Sequence, residues 1–396
     1  MKHKLIVSFL FASAFLASTA MAGTTWYVNG VNGSDTNNCL SATAACKTIG
    51  HAISLALSGD SIKVAPATYA ENLSISISLK VIGSGASTTI IDGGGVSTVV
   101  TIASTSANVM LSNVTLQHGY AQYGAGIYNS GTLTLTSAMV TANGASASGQ
   151  AMGGGIYNIG VLTINNSTIA GNSAGAFGRS EYAYGGGIAN NNGKLTINRS
   201  TISGNSASLG IVNGSGRAYG GGIANLLGTL AINNSTLSGN SARPTIYNPS
   251  YGGGISSGGK QTINNTTISG NSATYGGGIS GSATIQNSIV ANNAGGNCNT
   301  TVTSTGYNLS SDGSCNFKGP GDMNNINPNL GSLQYNGGPT QTMALSEGSP
   351  AIDAGNPSGC TDGSGHLLKI DQRGDPRPDK EDTGGCDIGA YESQSD

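Results

Sequence analysis

The chain has 396 residues and a formal net charge of −2, and only 9% of its residues are charged. That excludes a basic nucleic-acid footprint, and no stretch after the first twenty or so residues is apolar for long enough to span a membrane. Sixty-four glycines and much Ser, Thr and Asn approach the composition of a disordered chain, but regularly placed Ile and Leu supply a continuous core.

Residues 1–22 read as a secretory leader. Lys2, His3 and Lys4 are basic, Leu5 to Leu16 are apolar, and Ala20-Met21-Ala22 is a small-residue cleavage site. The mature chain then starts at Gly23. Loss of Lys2 and Lys4 takes the charge from −2 to −4. An exported chain can hold disulfides. The six cysteines fall in sequence-local couples, Cys39 with Cys46, Cys298 with Cys315 and Cys360 with Cys386. Locality favours this pairing without excluding the others.

Residues 23–59 read as an N-terminal cap. Lys47 to Leu57 predicts an amphipathic helix with Ile49, Ala52, Ile53, Ala56 and Leu57 on one face and Gly59 as its stop. Such a helix closes strand edges that the first coil of a solenoid leaves unpaired. Residues 60–315 read as the solenoid. It opens with irregular strands at Ile62–Val64, Leu73–Ile82, Thr89–Ile91, Val99–Ile102 and Val109–Leu116.

From Tyr123 to Asn292 one unit recurs six times, with Gly clusters beginning at Gly124, Gly153, Gly185, Gly220, Gly252 and Gly276. The isoleucines that follow, Ile127, Ile156, Ile188, Ile223, Ile255 and Ile279, are 29, 32, 35, 32 and 24 residues apart. A repeat of this length with period-2 alternation predicts stacked coils. In Tyr184 to Ala207, three short strands and three turns make one coil of a parallel β-helix, with Ile188, Leu195, Ile197 and Ile202 inward. Equivalent residues of successive coils lie about 4.8 Å apart, so a repeated charge would repel itself while neutral residues stack freely. Asn172, Asn205, Asn240 and Asn271 are placed for an amide ladder, and Ile164, Ile197, Ile232, Ile263 and Ile285 for an apolar one. The extra residues of the longer repeats all fall at the corner before the Gly cluster, which marks one face of the solenoid.

The character changes near Asn316, and thirteen of the 18 carboxylates lie from Asp312 onward. Residues 316–396 are read as a separate, disulfide-tied C-terminal domain.

Three resemblances carry these segments. Lys47-Thr48-Ile49, Gly59-Asp60, Tyr69-Ala70-Glu71 and Ile90-Ile91-Asp92-Gly93 resemble the opening of right-handed β-helix proteins related to pectinesterases and pectate lyases. The six-fold array resembles the polymorphic outer-membrane-protein repeat, with Ile202-Ser203-Gly204-Asn205 in place of its aromatic-x-x-Asn motif. Gly348-Ser349-Pro350-Ala351-Ile352-Asp353-Ala354-Gly355, Asp371-Gln372-Arg373-Gly374, Arg377-Pro378 and Asp387-Ile388-Gly389-Ala390-Tyr391-Glu392 resemble the choice-of-anchor Q domain of bacterial surface proteins. That resemblance implies a surface location, with release or non-covalent association because the chain stops at Asp396.

Chemistry on such a solenoid needs charged groups. Glycoside hydrolysis uses two carboxylates, and the lyase resemblance implies Ca²⁺-binding acids plus a basic side chain. Between residues 101 and 300 the one carboxylate is Glu181, too little for Ca²⁺. No catalytic residue, metal or cofactor is therefore assigned. In the C-terminal cluster of Asp371, Asp375, Asp379, Glu381, Asp382 and Asp387, the neighbouring Arg373, Arg377 and Lys380 favour ion pairs over Ca²⁺. His51 and His118 are read as structural.

Tyr precedes five Gly clusters (Tyr123, Tyr184, Tyr219, Tyr251 and Tyr275), with Met152 before the sixth. These rings predict an aromatic ladder that stiffens the corner. The inserts add Phe177, Arg179, Tyr182, Arg217, Arg243 and Tyr247, residue types enriched at interfaces. Phe177, Arg179, Tyr182, Tyr184, Arg217, Tyr219, Arg243, Tyr247 and Tyr251 are thus the candidate ligand-binding set. The reading is an all-β, right-handed, single-stranded parallel β-helix, pectate-lyase-like, secreted or on the cell surface. It is expected to be a monomer and an adhesin-like binder of a polysaccharide or a surface or matrix protein. A polysaccharide lyase or hydrolase acting on an acidic polysaccharide is the alternative, and a structural spacer the third.

Overall fold

The computed structural model describes residues 23–394 except 211–214, 363–364 and 381–384, and only the backbone of Arg179 and Ser180. The leader, Glu381, Asp382 and the side chain of Arg179 lie outside the described residues.

Each coil crosses three parallel sheets in turn. Among the described residues, the first sheet has eleven strands from Thr25–Val28 to Val302–Ser304, and the second eleven from Ala67–Ala70 to Met323–Asn324. The third has eight, from Leu73–Ile75 to Ile279–Ser280. Each return to a sheet adds one parallel strand, and parallel crossovers of this kind take the right-handed sense that twisted strands favour. The molecule is a right-handed parallel β-helix. Its register repeats the sequence repeat: Ile164, Ile197, Ile232, Ile263 and Ile285 pair in line across the first sheet. All five are fully buried, each contributing about 1.5–3 kcal/mol of burial.

The corners are held by polar ladders. Between the first and second sheets, backbone amides of Ala138, Ser167 and Ser200 donate to the hydroxyls of Ser167, Ser200 and Ser235. After the second sheet, Asn143, Asn172, Asn205, Asn240 and Asn271 each donate from Nδ2 to Oδ1 of the next asparagine, at 2.9–3.0 Å. A further ladder joins Asn129, Asn158, Asn190 and Asn225 at 2.7 Å between the third and first sheets.

The N-terminal helix is shorter than expected, Ile49–Leu55. Thr48 caps it, and both Glu71 carboxylate oxygens accept from the Ile49 and Gly50 amides at 2.8 and 2.7 Å, where the helix dipole favours negative charge. Leu57, expected on the buried face, is 74% exposed because the chain is already extended at Ala56.

The count of three strands per coil is corrected at the inserts, which form a fourth sheet. Gly144–Met152 pairs with Ser173–Tyr184, whose two halves pair with Ser206–Leu209 and Arg217–Tyr219. The inserts therefore make a stacked arm that leaves the second sheet and returns to the third. Its core is small: Ala145, Ala151, Ala174, Ala176, Ala183, Ala207, Ala218 and Ala242 pack together, none more than 2% exposed. Alternation of Ala with Ser and Gly lets two limbs lie close while keeping polar groups outside.

The C-terminal segment folds back over the outer face of the second sheet. Gln372 donates to Thr201 and Thr340 hydroxyls and accepts from Thr236. Asn234 and Asn265 donate to the carbonyls of Ile370 and Thr361, both at 2.7 Å. Ile289, Ala291 and Leu309 of that sheet share a core with Leu345, Ala351 and Ile388. The three disulfides are Cys39–Cys46, Cys298–Cys315 and Cys360–Cys386, the sequence-local pairing.

Candidate functional site

The arm is a ridge with a groove on each flank. The flank facing the third sheet carries the predicted tyrosines. Each sits on the last residue of the arm, just before a Gly cluster whose first glycine has positive φ (62° at Gly185, 65° at Gly220, 64° at Gly252). The second glycine is required by close approach: a Cβ on Gly186 would lie 2.4 Å from the Ser206 backbone.

The rings stack along the solenoid. Centroids are 5.3 Å apart for Tyr184–Tyr219, 5.4 Å for Tyr219–Tyr251 and 5.5 Å for Tyr251–Tyr275. Tyr182 stacks on Tyr184 at 5.9 Å. Tyr123 instead pairs with Tyr157 at 5.3 Å, and Met152 occupies the rung after it. The ring faces are thus spent on one another, and the edges are what the stack leaves toward the groove. Burial, reinforced by the neighbouring phenols, pushes the Tyr184 hydroxyl up to about 12, so it remains a neutral donor.

These edges form one wall of a groove of about 440 Å³ lined by Tyr184, Tyr219 and Tyr251. Its floor is Ser256 and Ser280 of the third sheet with the turns that follow them at Ser257, Gly258 and Gly281. The same column holds Tyr128 and Tyr157 in early coils and then Ala189 and Ala224, which are fully buried and lie outside the groove. Arg217 lies with its guanidinium 5.7 Å from the Tyr251 ring centroid.

The remaining predicted residues do not line the groove. Phe177 is 51% exposed and Tyr247 63% exposed on the arm, and Arg243 is exposed beyond Ala242. The lone carboxylate of the array, Glu181, is buried at 3% exposure with Oε1 unpartnered, and burial raises its pKa. The exposed surface of residues 101–300 therefore carries Lys194, Arg217, Arg243 and Lys260 with no exposed carboxylate among the described residues.

The C-terminal charges are committed to structure. Arg373 pairs with Asp371 at 2.7 Å and Asp375 at 3.1 Å, and buried Arg377 pairs with Glu392 at 2.6 Å.

Sequence reasoning missed the other flank. His118 Nδ1 lies 2.8 Å from Asp92 Oδ2, beside exposed Tyr120. The only signal was two polar residues 26 positions apart, which one-dimensional reading could not bring together.

No family model and no curated relative matches the chain. In structure it is similar to pectate lyase Pel9A, with a TM-score of 0.53 and 13% identity over 93% of this chain and 96% of that one. A rhamnogalacturonan lyase overlays with a TM-score of 0.39 and 11% identity over 83% of this chain and 96% of that one. The Pel9A likeness shows the parallel β-helix fold alone, since one fold carries many functions. Among the described residues, no helix is long and apolar enough to cross a membrane.

Proposed function

We propose that this is an exported, adhesin-like protein that holds an acidic glycan in the groove between the arm and the third sheet. The carrying observation is the groove itself: a wall of stacked tyrosines over a floor of Ser and Gly, with Arg217 against the Tyr251 ring. Coils rise by about 4.8 Å, comparable to the length of one sugar residue along a chain. A linear glycan lying along the solenoid would meet equivalent groups at each step. Phenol and Ser hydroxyls supply hydrogen bonds, and the uncompensated cations Lys194, Arg217, Arg243 and Lys260 favour an anionic chain. Residues 316–396, in this reading, hold the molecule at the cell surface.

The test is native electrophoresis of residues 23–396 through gels cast with polygalacturonate, alginate or a neutral glucan, stained afterwards for polysaccharide. Retardation by a polyuronate, weakened by Arg217→Ala and by Ser256→Phe in the channel floor, is the expected result. Retention by none of them refutes the reading and shifts weight to a protein ligand. A cleared zone, or absorbance from an unsaturated product, would establish the lyase alternative.

A further inference from the structure

The opposite flank of the arm carries a different constellation. Asp92, Gln117, Thr141, Ala170, Ser203, Ser238, Ser269 and Ala291 form one outward column of the second sheet, and Asp92 is its only charge. Its Oδ2 accepts from Gln117 Nε2 at 2.9 Å and meets His118 Nδ1 at 2.8 Å, while Oδ1 accepts from the Gly94 amide at 2.9 Å. These donors hold the Asp92 carboxyl below its ordinary range, against burial. His118 has positive φ (54°) at a turn position that other coils give to Ala142, Gly171, Gly204, Gly239, Gly270 and Asn292. With Nδ1–H donating to Asp92, Nε2 is the ring nitrogen left to accept from a ligand.

Tyr120 completes the arrangement. It is 52% exposed and has no ring partner among the described residues. Its register neighbour in the next coil is Gly144, which has no side chain to cover it. The ring face that the other tyrosines spend on one another is free here. Tyr120 and His118 line one groove of about 380 Å³. Gln117, on the other side of His118, lines a second of about 440 Å³ that runs along the second sheet to Tyr335 and Pro339. Neither lining contains Lys, Arg, Asp or Glu.

We propose that Tyr120, His118 and Asp92 form a second carbohydrate site, for an uncharged pyranose. The sugar's apolar face lies on Tyr120, a hydroxyl donates to His118 Nε2, and Asp92 fixes the imidazole. A lining without cationic side chains, with the Asp92 carboxylate bonded to His118, disfavours uronates, so the two flanks of the arm differ in ligand class.

Isothermal titration of residues 23–396 with xylo-, manno- and gluco-oligosaccharides tests this, with oligogalacturonides alongside. Uronides report the tyrosine channel and neutral oligomers report this site, so either can fail alone. Binding of a neutral series is expected, weakened about tenfold by Tyr120→Ala and measurably by His118→Asn, since Asn accepts positive φ. Gly144→Leu is the variant that keeps the ring. A Cβ there meets Ser173 Oγ at 3.6 Å and Tyr120 Cδ2 at 3.9 Å, ordinary contacts, so the fold survives while the ring face is covered. Loss of neutral-sugar binding in folded Gly144→Leu supports the site. No neutral series bound by the wild type, or wild-type affinity in all three variants, overturns it.

Discussion

Asn205→Ala tests whether the buried amide ladder or only the apolar columns hold the coils together. Asn205 Oδ1 accepts from the Asn172 backbone amide and from Asn172 Nδ2, both at 3.0 Å. Its Nδ2 donates to the Ile169 carbonyl and to Asn240 Oδ1, both at 2.9 Å. Alanine removes all four. Asn172 Nδ2 keeps the carbonyls of Val140 and Ala170, and Asn240 Oδ1 keeps the Asn205 amide. The Asn172 backbone N–H is the group stripped of its acceptor in a site closed to water. An orphaned buried donor costs about 1–3 kcal/mol, and each lost hydrogen bond a net of about 0.5–1.5. Because the partners are shared these terms do not add fully, and we expect about 3 kcal/mol. The control is Asn198→Ala in the outward ladder, where Asn198 bonds Asn165 and Asn233 at 3.0 Å with solvent beside it. Water replaces those bonds, so the loss should be about 0.5 kcal/mol or less. Urea unfolding with unchanged m-value reads both, and hydrogen exchange at the Asn172 amide reads the local effect. Equal losses for the two variants, or less than about 1 kcal/mol for Asn205→Ala, would refute the reasoning.

Gly186→Ala forces a Cβ to 2.4 Å from backbone atoms of Ser206, so thermal melts should show a loss above about 3 kcal/mol. Gly204→Asn should cost about 0.5 kcal/mol or less, because φ is +62° with open space and Asn292 already holds that turn position at +57°. Gln372→Ala takes away the acceptor of the buried Thr236 hydroxyl and the donor shared by Thr201 and Thr340, whose hydroxyls keep the Gln341 and Arg199 carbonyls. Limited proteolysis within residues 330–394 should then accelerate about tenfold or more, without loss of the solenoid's circular dichroism. One guanidinium, Arg377, serves two buried carboxylates. Burial pushes Glu392 from 4.5 to about 7 and Asp387 from 3.8 to about 6, against the pull of Arg377. The folded pair therefore holds a proton that the unfolded chain has released, so stability of this segment falls as pH rises through that window. Glu392→Gln should flatten that fall in the same proteolysis assay followed from pH 4 to 8; an unchanged slope would show that the pair is not responsible.

Much of the solenoid was legible because its code is local and repeated. Ile164 through Ile285, and Asn172 through Asn271, recur at one position per coil, and register then follows from pairing like with like. The C-terminal docking was not legible. Thr201, Thr236 and Thr267 look like ordinary strand threonines, and only contacts across 123–171 positions show that Gln372 and Ala390 bind them. Asn234 and Asn265 are at most 2% exposed beneath that segment. The arm was half legible. Insert lengths placed it at the correct corner, but alternation of Ala with Ser and Gly is too weakly apolar to announce a strand.

Stacking at about 4.8 Å dictates where chemistry can sit on this molecule. A charge that recurs in every coil is excluded, so interior coils are nearly neutral and recognition must come from departures within a column. Each candidate site is such a departure. In the third-sheet column, the Tyr128 and Tyr157 of early coils are replaced further along by Ser256 and Ser280, which line the groove beside the stacked tyrosines. In the second-sheet column, Asp92 stands among neutral residues with His118 against it. In the arm, Gly144 beside Tyr120 leaves one ring face bare where its counterparts are covered. Filling the tyrosine groove or the space beside Tyr120 with a larger apolar side chain should leave the coil intact and remove the recognition, which is why Ser256→Phe and Gly144→Leu separate function from folding more cleanly than truncation to alanine.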